Sequence, residues 1–282
     1  MTGSKYLVEV NGIRLLVDCG LYQERGLKNL NWEPFHVSPD KIDIVLLTHA
    51  HLDHCGLIPK LVKEGFKGRI YCTPATTEIA KIVLLDSAKI QEEDAAFKLK
   101  RHLREGKKGN YPEIPLYTKE DTEASFQYFS SIPYQQKFDL GHGIDVVFYD
   151  AGHILGSANI KLFIKSNGEE RTLIFSGDIG KNDTPILQDA TVFKQADYVV
   201  MESTYGSKGT PSSVANIQET LSDIINNTND KGGNVIIPSF AIERSQEVLY
   251  RLNELLRQDL IPHIMVFLDS PMAIRVTDVF RH

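Results

Sequence analysis

A dense cluster of metal-binding residue types lies near the start of the chain. Residues 48–56 read Thr-His-Ala-His-Leu-Asp-His-Cys-Gly, so that His49, His51, Asp53 and His54 fall within six residues. Imidazole nitrogens and carboxylate oxygens are ligands of zinc and similar divalent ions. A loop of this composition can serve two ions held ~3.5–4 Å apart, the spacing used in two-metal hydrolysis. Without a metal, the cluster would gather desolvated imidazoles for no gain, so the segment predicts a metal site.

Two later segments offer the same chemistry, each at the end of a predicted strand. Residues 150–153 (Asp-Ala-Gly-His) supply His153, and residues 176–180 (Ser-Gly-Asp-Ile-Gly) supply Asp178. Taken alone, the histidine is typical of a structural residue and the aspartate of a turn. Their occurrence together with the first loop favours ligand roles for both. Asp18 ends a predicted hairpin and can accept a hydrogen bond from a ligand imidazole, which would fix its tautomer.

The apolar pattern predicts the elements that position these residues. Period-two runs and turn dipeptides predict strands, and three- and four-residue spacing predicts helices. The predicted strands are 6–10, 13–17, 44–48, 69–72, 144–149, 159–164, 171–175 and 198–202, and the predicted helices are 56–64, 76–103 (as one helix or two) and 119–131. Beyond Tyr205, predicted strands at 234–237 and 263–268 alternate with helices at 213–226, 242–257 and from Met272 onward. Such alternation is typical of a parallel α/β unit.

Composition limits the class of protein. The chain has 282 residues, of which 42% are hydrophobic and 24% charged, and it has no apolar run near the ~18 residues that a membrane span needs. This pattern excludes disordered, collagen-like and membrane-spanning chains. Three cysteines without disulfide-like spacing, and no signal-like N-terminus, predict a cytoplasmic enzyme or factor.

Charge argues against binding of nucleic acid by the molecule as a whole, because the net charge is −6. A local basic segment is nevertheless present near the end of the second predicted helix. It contains Lys98, Lys100, Arg101, Arg104, Lys107 and Lys108, opposed by Glu105. The segment is either a solvated helix end or a surface that contacts phosphates.

The metal-binding residues resemble a known family. Asp18, the His-Ala-His-Leu-Asp-His run at 49–54, His153 and Asp178 are similar, in order and spacing, to the first four motifs of the metallo-β-lactamase superfamily. The resemblance implies an α/β fold, the αββα sandwich. It also implies two zinc ions with the following ligands: His49, His51 and His153 for one, Asp53 and His54 for the other, and Asp178 bridging both with a hydroxide. Asp53 would orient that nucleophile as well as bind metal.

Three later segments look like the opening of a β-CASP domain, the cap found in RNA- and DNA-processing members of the superfamily. They are residues 201–206, 237–247 and 268–273. By this resemblance Glu202 is the acidic residue of the first cap motif, expected to orient a catalytic histidine. Ser239 and Arg244 follow a predicted strand and begin a helix, where they would bind a backbone phosphate. A simple helix cap for Ser239 and a surface position for Arg244 are equally compatible with the sequence.

The resemblance is closest to bacterial and archaeal relatives of the cleavage and polyadenylation specificity factor nuclease subunit, and less close to RNase J. We therefore expect a metallo-β-lactamase domain at 1–204 and the first part of an inserted α/β cap at 205–282. Family members carry further cap histidines and a last metal-site histidine beyond the matching segment. The chain is accordingly expected to be truncated and to have weak activity or none.

The expected function is zinc-dependent hydrolysis of RNA phosphodiester bonds, internal or directional, with single-stranded RNA as the partner and no membrane. Zinc is the expected cofactor, two ions per complete site. The alternatives are a small-molecule ester, thioester or lactone hydrolase, and a non-catalytic RNA-binding subunit. The first alternative leaves Glu202 and the cap segments unexplained, and intact ligands argue against the second. Formation of a homodimer is left open.

Overall fold

The computed structural model describes residues 3–106, 112–206 and 217–281. The chain divides into two compact units. The first comprises Met1–Asn182 and Gln188–Glu202, and the second Asp183–Leu187 and Ser203–His282. Within the described residues, no helix combines the length and the apolar character needed to cross a membrane.

The first unit begins with a mixed five-stranded sheet. Its strands, in spatial order, are β1 (Tyr6–Val10), β2 (Ile13–Val17), β3 (Ile44–Leu46), β4 (Arg69–Cys72) and β5 (Phe129–Ser131). The first pair is an antiparallel hairpin, and the other neighbours are parallel. The Asn11-Gly12 turn has φ of 50° and 81° at its two residues, the left-handed conformations that a two-residue hairpin turn requires. The hairpin and β4 have the bounds predicted from the sequence.

A second five-stranded sheet completes the first unit. Its strands are β6 (Phe138–Asp139), β7 (Ile144–Asp150), β8 (Ala158–Ser166), β9 (Glu169–Phe175) and β10 (Tyr198–Val200), in the order β10-β9-β8-β7-β6. Pairing is antiparallel except between β9 and β10. The short β6 was not predicted, because two residues carry no measurable alternation.

The two sheets share one apolar core. Alternate side chains of a strand point to the same face, so each sheet contributes one row of apolar residues. Core members include Leu15, Val17 and Leu46 from the first sheet and Val146, Phe148, Ile160 and Leu162 from the second. Burial of this kind is the main favourable contribution to folding, about 25 cal/mol for each Å² of apolar surface removed from water. The predicted sandwich of two sheets is confirmed.

Helices cover the first sheet. They are α1 (Leu52–Cys55), α2 (Ile58–Lys63), α3 (Pro74–Glu105) and α4 (Lys119–Ser125). The long α3 is a single helix; the Thr73 hydroxyl accepts a hydrogen bond from the N–H of Thr76 at its start, and Gly106 ends it with φ of 63°. α3 packs against β5 and α4, and α2 packs against α4.

One predicted helix is wrong over its second half. The sequence pattern predicted a helix over residues 119–131, but α4 ends at Ser125 and is followed by a 3-10 turn, Phe126–Tyr128, and by strand β5. The segment carries aromatic residues whose spacing suits either structure. Parallel pairing of Phe129 with Ile70 decides the outcome, and a pairing so distant in sequence leaves no local signal.

Among its described residues, the second unit has three helices, α5 (Ile217–Asn229), α6 (Arg244–Arg257) and α7 (Pro271–Val279). Ile225, Leu252, Leu255 and Ile261 form its small apolar cluster. The start of the predicted helix at 213 lies outside the described residues. The predicted strands at 234–237 and 263–268 are wrong for this structure, because neither pairs with another segment among the residues that the structure describes.

Those two segments are largely exposed instead. Ile236 is 89% exposed and Phe267 80% exposed, although both residue types favour strands. A strand is stabilised by a hydrogen-bonded neighbour and by burial of at least one face, and here both contributions are missing.

Candidate metal centre

The side chains with candidate chemistry lie on loops that follow strands of both sheets. His49 comes three residues after β3, His153 three residues after β7, and Asp178 three residues after β9. The loop after His49 leads into α1, which carries Asp53 and His54. The sandwich thus brings residues from three distant stretches of sequence to one end of the first unit.

Close backbone approach between these loops requires glycine at two positions. A Cβ atom on Gly180 would lie 1.6 Å from the carbonyl oxygen of Gly152, and one on Gly20 would lie 1.6 Å from that of Asp53. Gly152 itself has φ of 63°. Any side chain at Gly20 or Gly180 would therefore push the ligand-bearing loops apart.

Four side chains form a first group of candidate ligands. Ligand atoms of His49, His51, His153 and Asp178 all lie within 4.8 Å of one another. Nδ1 of His51 is 3.1 Å from Nε2 of both His49 and His153. Oδ2 of Asp178 is 3.6 Å from Nε2 of His153 and 3.9 Å from Nε2 of His49. Three imidazole nitrogens and one carboxylate oxygen converge on one point, a donor set that suits Zn²⁺.

A second group lies on the other side of Asp178. Oδ1 of Asp178 is 3.3 Å from Nε2 of His54, which is 3.9 Å from Oδ2 of Asp53. This Nε2 atom is buried and makes no hydrogen bond among the described residues. A buried polar atom without a partner lowers the stability of the fold, and a metal ion bound to Nε2 would supply that partner. Asp178 thus presents one oxygen to each group and fits a bridging ligand.

The orientation of His54 is fixed by Asp18. Oδ2 of Asp18 is 2.7 Å from Nδ1 of His54, and both side chains are buried. Thr48 supports the same carboxylate: its N–H donates to Oδ1 at 2.8 Å, and its hydroxyl lies 2.9 Å from Oδ2. Since Nδ1 of His54 is engaged in this way, Nε2 is the nitrogen that faces the second group.

This arrangement is matched by a family profile described as a metallo-beta-lactamase superfamily domain, over residues 7–205. The chain belongs to the metallo-β-lactamase superfamily. The match includes every residue of the two ligand groups and confirms the superfamily resemblance seen in the sequence.

Several curated proteins are similar in sequence to nearly all of this chain. It is 37% identical to "Ribonuclease TTHA0252" of Thermus thermophilus over 99% of its length and 58% of that protein. It is 34% identical to "Transcription termination factor FttA" of Methanosarcina mazei over 95% of its length and 40% of that protein. An "RNase J-like protein" of Methanocaldococcus jannaschii is 31% identical over 97% of this chain and 56% of that protein. The chain therefore spans about half the length of the curated relatives it matches.

The histidines of the first group are held neutral in this metallo-β-lactamase site. Burial lowers the pKa of His49 well below its usual value, and burial together with His153 lowers the pKa of His51 to about 4. The pKa of His153 is lowered as well, again mainly by burial. Neutral imidazole is the form that binds metal, so this group is ready to bind at neutral pH.

In the second group, the pKa of the histidine is raised instead of lowered. Burial tends to lower the pKa of His54, but the negative charges of Asp18 and Asp178 outweigh burial and raise it to about 10. For Asp178, burial favours the neutral acid, yet the nearby His54 holds the pKa below its usual value. Burial raises the pKa of Asp53. The raised pKa favours the protonated form of His54 at neutral pH.

Glu202 lies at the end of the first unit and acts on the loop that carries Asp178. Its Oε1 accepts a hydrogen bond from the N–H of Ile179 at 2.7 Å, and its own N–H donates to Oγ of Ser176 at 3.1 Å. The contact to a catalytic histidine remains a prediction. The observed contacts hold the loop beside Asp178, the candidate ligand next to Ile179.

The two predicted phosphate-binding residues lie in the second unit. Arg244 is the first residue of α6, and its guanidinium pairs with Glu247 on the same helix. Ser239 is exposed and lies before the helix, whose N-cap residue is Glu243. The expectation that Ser239 begins the helix is therefore wrong, because the chain first turns through residues 241–243. Phosphate binding by both residues stays a prediction.

Two supporting residues were missed in the sequence. Thr48 precedes the histidine run, and its position between a strand and the ligands was the only signal. Ser157 is fully buried, and its Oγ accepts hydrogen bonds from the N–H groups of His153 and Ile154 at 3.0 and 3.2 Å. This contact fixes the backbone beside His153, and a serine in a loop carries no pattern that could have revealed it.

Proposed function

We propose that this protein is a zinc-dependent hydrolase that cleaves phosphodiester bonds of single-stranded RNA. The observation that carries the proposal is the pair of ligand groups that share Asp178, one on each of its carboxylate oxygens. Two metal positions joined by a carboxylate are the arrangement used for in-line displacement at phosphate.

The donor set favours zinc. In the first group, three neutral imidazoles and a carboxylate match the ligands and tetrahedral preference of Zn²⁺, whereas Mg²⁺ and Ca²⁺ prefer sites made only of oxygen. His49, His51 and His153 would hold one ion, Asp53 and His54 the other, and Asp178 both. A bound pair of ions activates water at neutral pH and stabilises the charge that develops on the phosphate.

The protein's own side chains have defined tasks in this proposal. Asp18 holds His54 so that Nε2 faces the second ion, and Glu202 holds the backbone of the loop that presents Asp178. Asp53 lies at the edge of the second group, where its second oxygen can accept a proton from the attacking water.

RNA as the substrate is supported by the relatives, since one is named a ribonuclease and another an RNase J-like protein. The β-CASP assignment of residues 205–282 is part of the same proposal and rests on the motifs at 201–206, 237–247 and 268–273.

The test compares the wild-type chain with Asp178→Ala and with Asp223→Ala, a control at an exposed position of α5. Zinc content is measured by elemental analysis, and activity is measured on labelled single-stranded RNA and on a panel of esters, thioesters and lactones. We expect two zinc ions per chain and weak but measurable RNA cleavage for wild type and the control, and loss of both for Asp178→Ala. Equal cleavage by all three proteins, or hydrolysis of the panel without RNA cleavage, would refute the proposal.

A further inference from the structure

The second half of α3 is an exposed helix with an aromatic residue among cations. Buried residues recur along the helix from Thr76 to Ala88, but beyond that point only Ala95 is buried among its described residues. Phe97 is 65% exposed, and Lys100, Arg101 and Arg104 are exposed as well. Most side chains in this half of the helix are therefore exposed to solvent.

These four residues share one face of the helix. They occur at positions i, i+3, i+4 and i+7 from Phe97, and at 100° per residue they lie within about 100° of the circumference. We call Phe97, Lys100, Arg101 and Arg104 the basic-aromatic face. A stacking ring with flanking cations is the combination that proteins use to bind single-stranded nucleic acid.

Another face of the same helix is covered by the chain that returns from it. The hydroxyl of Tyr117 is 3.0 Å from Oγ of Ser87, and the N–H of Leu116 donates to Oε1 of Gln91 at 3.2 Å. Nearer the tip, His102 pairs with Glu113. These contacts fix the helix end, while the four residues of the basic-aromatic face stay exposed.

Two acidic residues near this face are paired with other lysines. Glu93 lies 3.9 Å from the ammonium group of Lys89, and Asp94 lies 3.8 Å from that of Lys98. Within the described part of the chain, Lys100 and Arg104 have no ion-pair partner. The positive charge of the face is thus available to a polyanion even though the net charge of the chain is −6. Lys107 and Lys108, which continue the basic segment, lie outside the described residues.

The face is separate from the metal centre but is connected to it by α3. At the start of the helix, the hydroxyl of Thr76 donates to the carbonyl oxygen of Gly156, in the loop that carries His153. From Thr76 to Arg101, a rise of 1.5 Å per residue gives about 38 Å along the axis. An RNA strand that contacts both the metal centre and the basic-aromatic face must be long, whereas a short RNA can contact only one of them.

We propose that the basic-aromatic face binds single-stranded RNA, with a base stacked on Phe97 and phosphates held by Lys100, Arg101 and Arg104. The proposal rests on the proposed function in taking RNA as the substrate. It adds a second contact for long RNA, remote from the site of cleavage.

Binding is measured by fluorescence anisotropy with a labelled oligouridine of about 30 nucleotides, longer than the ~4–16 nucleotides of one typical site. EDTA is present, so that no cleavage occurs. The triple variant Lys100→Ala, Arg101→Ala, Arg104→Ala is compared with a control of equal charge, Lys28→Ala, Lys41→Ala, Lys67→Ala, whose three positions are exposed elsewhere on the first unit. For single strands, each phosphate contact adds about 0.7 to the slope of log affinity against log salt concentration. Removing three contacts should therefore lower the slope by about 2 and the RNA affinity by about 100-fold at about 0.1 M salt.

Phe97→Leu tests stacking separately from charge. We expect binding of single-stranded RNA to weaken about tenfold and binding of double-stranded RNA to change little, because bases in a duplex are not free to stack on the ring. Thermal unfolding of all variants should match that of the charge-matched control, since the replaced side chains are exposed.

If the triple variant binds RNA as tightly as the control, the face does not bind RNA and the proposal is wrong. The same holds if the variant changes the oligomeric state without changing RNA affinity, which would assign the face to a protein contact. If the loss of binding is found but the zinc-loaded wild type cleaves no RNA, this proposal stands and the proposed hydrolysis fails.

Discussion

The two metal positions should differ in their dependence on pH, because only one of them carries a proton that a metal must displace. The histidines of the first group have lowered pKa values, that of His51 being about 4, whereas that of His54 is about 10. At pH 7 the first ion therefore meets neutral ligands, and the second must remove a proton from His54. This competition lowers the affinity for the second ion at pH 7 by about 10³, or about 4 kcal/mol.

The assay is a titration of metal-free protein with Zn²⁺ at several values between about pH 6 and pH 8, with proton release measured in parallel. Over these two pH units the affinity for the second ion should rise at least about 100-fold, and that for the first should change by less than about threefold. The second ion should release the proton of His54, and also one from the water that the two ions activate, whereas the first should release almost none. Equal pH dependence of the two steps would refute the assignment of the proton to His54.

Three further variants test the supporting contacts. Asp18→Asn should destabilise the metal-free protein by about 3 kcal/mol at pH 7 by removing the partner of a buried cation. The raised pKa of His54 contributes stability that is complete below pH 6.5 and is lost as the pH rises through about 10. The difference in unfolding free energy between wild type and Asp18→Asn, measured by chemical denaturation, should therefore shrink from pH 6.5 to about pH 10. Gly180→Ala should impair folding and zinc binding, since its Cβ would lie 1.6 Å from the carbonyl oxygen of Gly152, while Gly26→Ala, with nothing within 4 Å, should not. Normal zinc content in the Gly180 variant would contradict this. Glu202→Gln should weaken zinc binding by about tenfold, because it loosens one charged hydrogen bond to the loop of Asp178, while the thermal unfolding temperature stays unchanged. Unchanged zinc affinity would show that Glu202 does not position the site.

The sequence was most informative where local pattern and chemistry coincide. The Asn11-Gly12 hairpin and the strand Arg69–Cys72 were predicted with the correct bounds, since turn type and alternation are local properties. The candidate ligands at 49–54 were conspicuous because several metal-binding residue types rarely fall within one loop by chance. His153 and Asp178 were weak signals alone, and only their combination with that loop singled them out.

Long-range contacts account for the errors. β5 forms because Phe129 pairs with Ile70, and Phe138 belongs to a strand of two residues, so neither could be seen in a local window. The apolar runs at 234–237 and 263–268 favour strands, but among the described residues they have no paired neighbour and are largely exposed. The role of Ser157 beside His153 is likewise set by the folded loop and not by spacing.

The central claim is that two zinc ions are joined by Asp178. X-ray absorption at the zinc edge measures this most directly, on the protein loaded with two equivalents of Zn²⁺. The predicted result is a zinc–zinc distance of about 3.5–4 Å, with imidazole nitrogen and carboxylate oxygen as ligands, lost in Asp178→Ala. A spectrum with no zinc–zinc contribution, or one unaffected by the substitution, would contradict the claim.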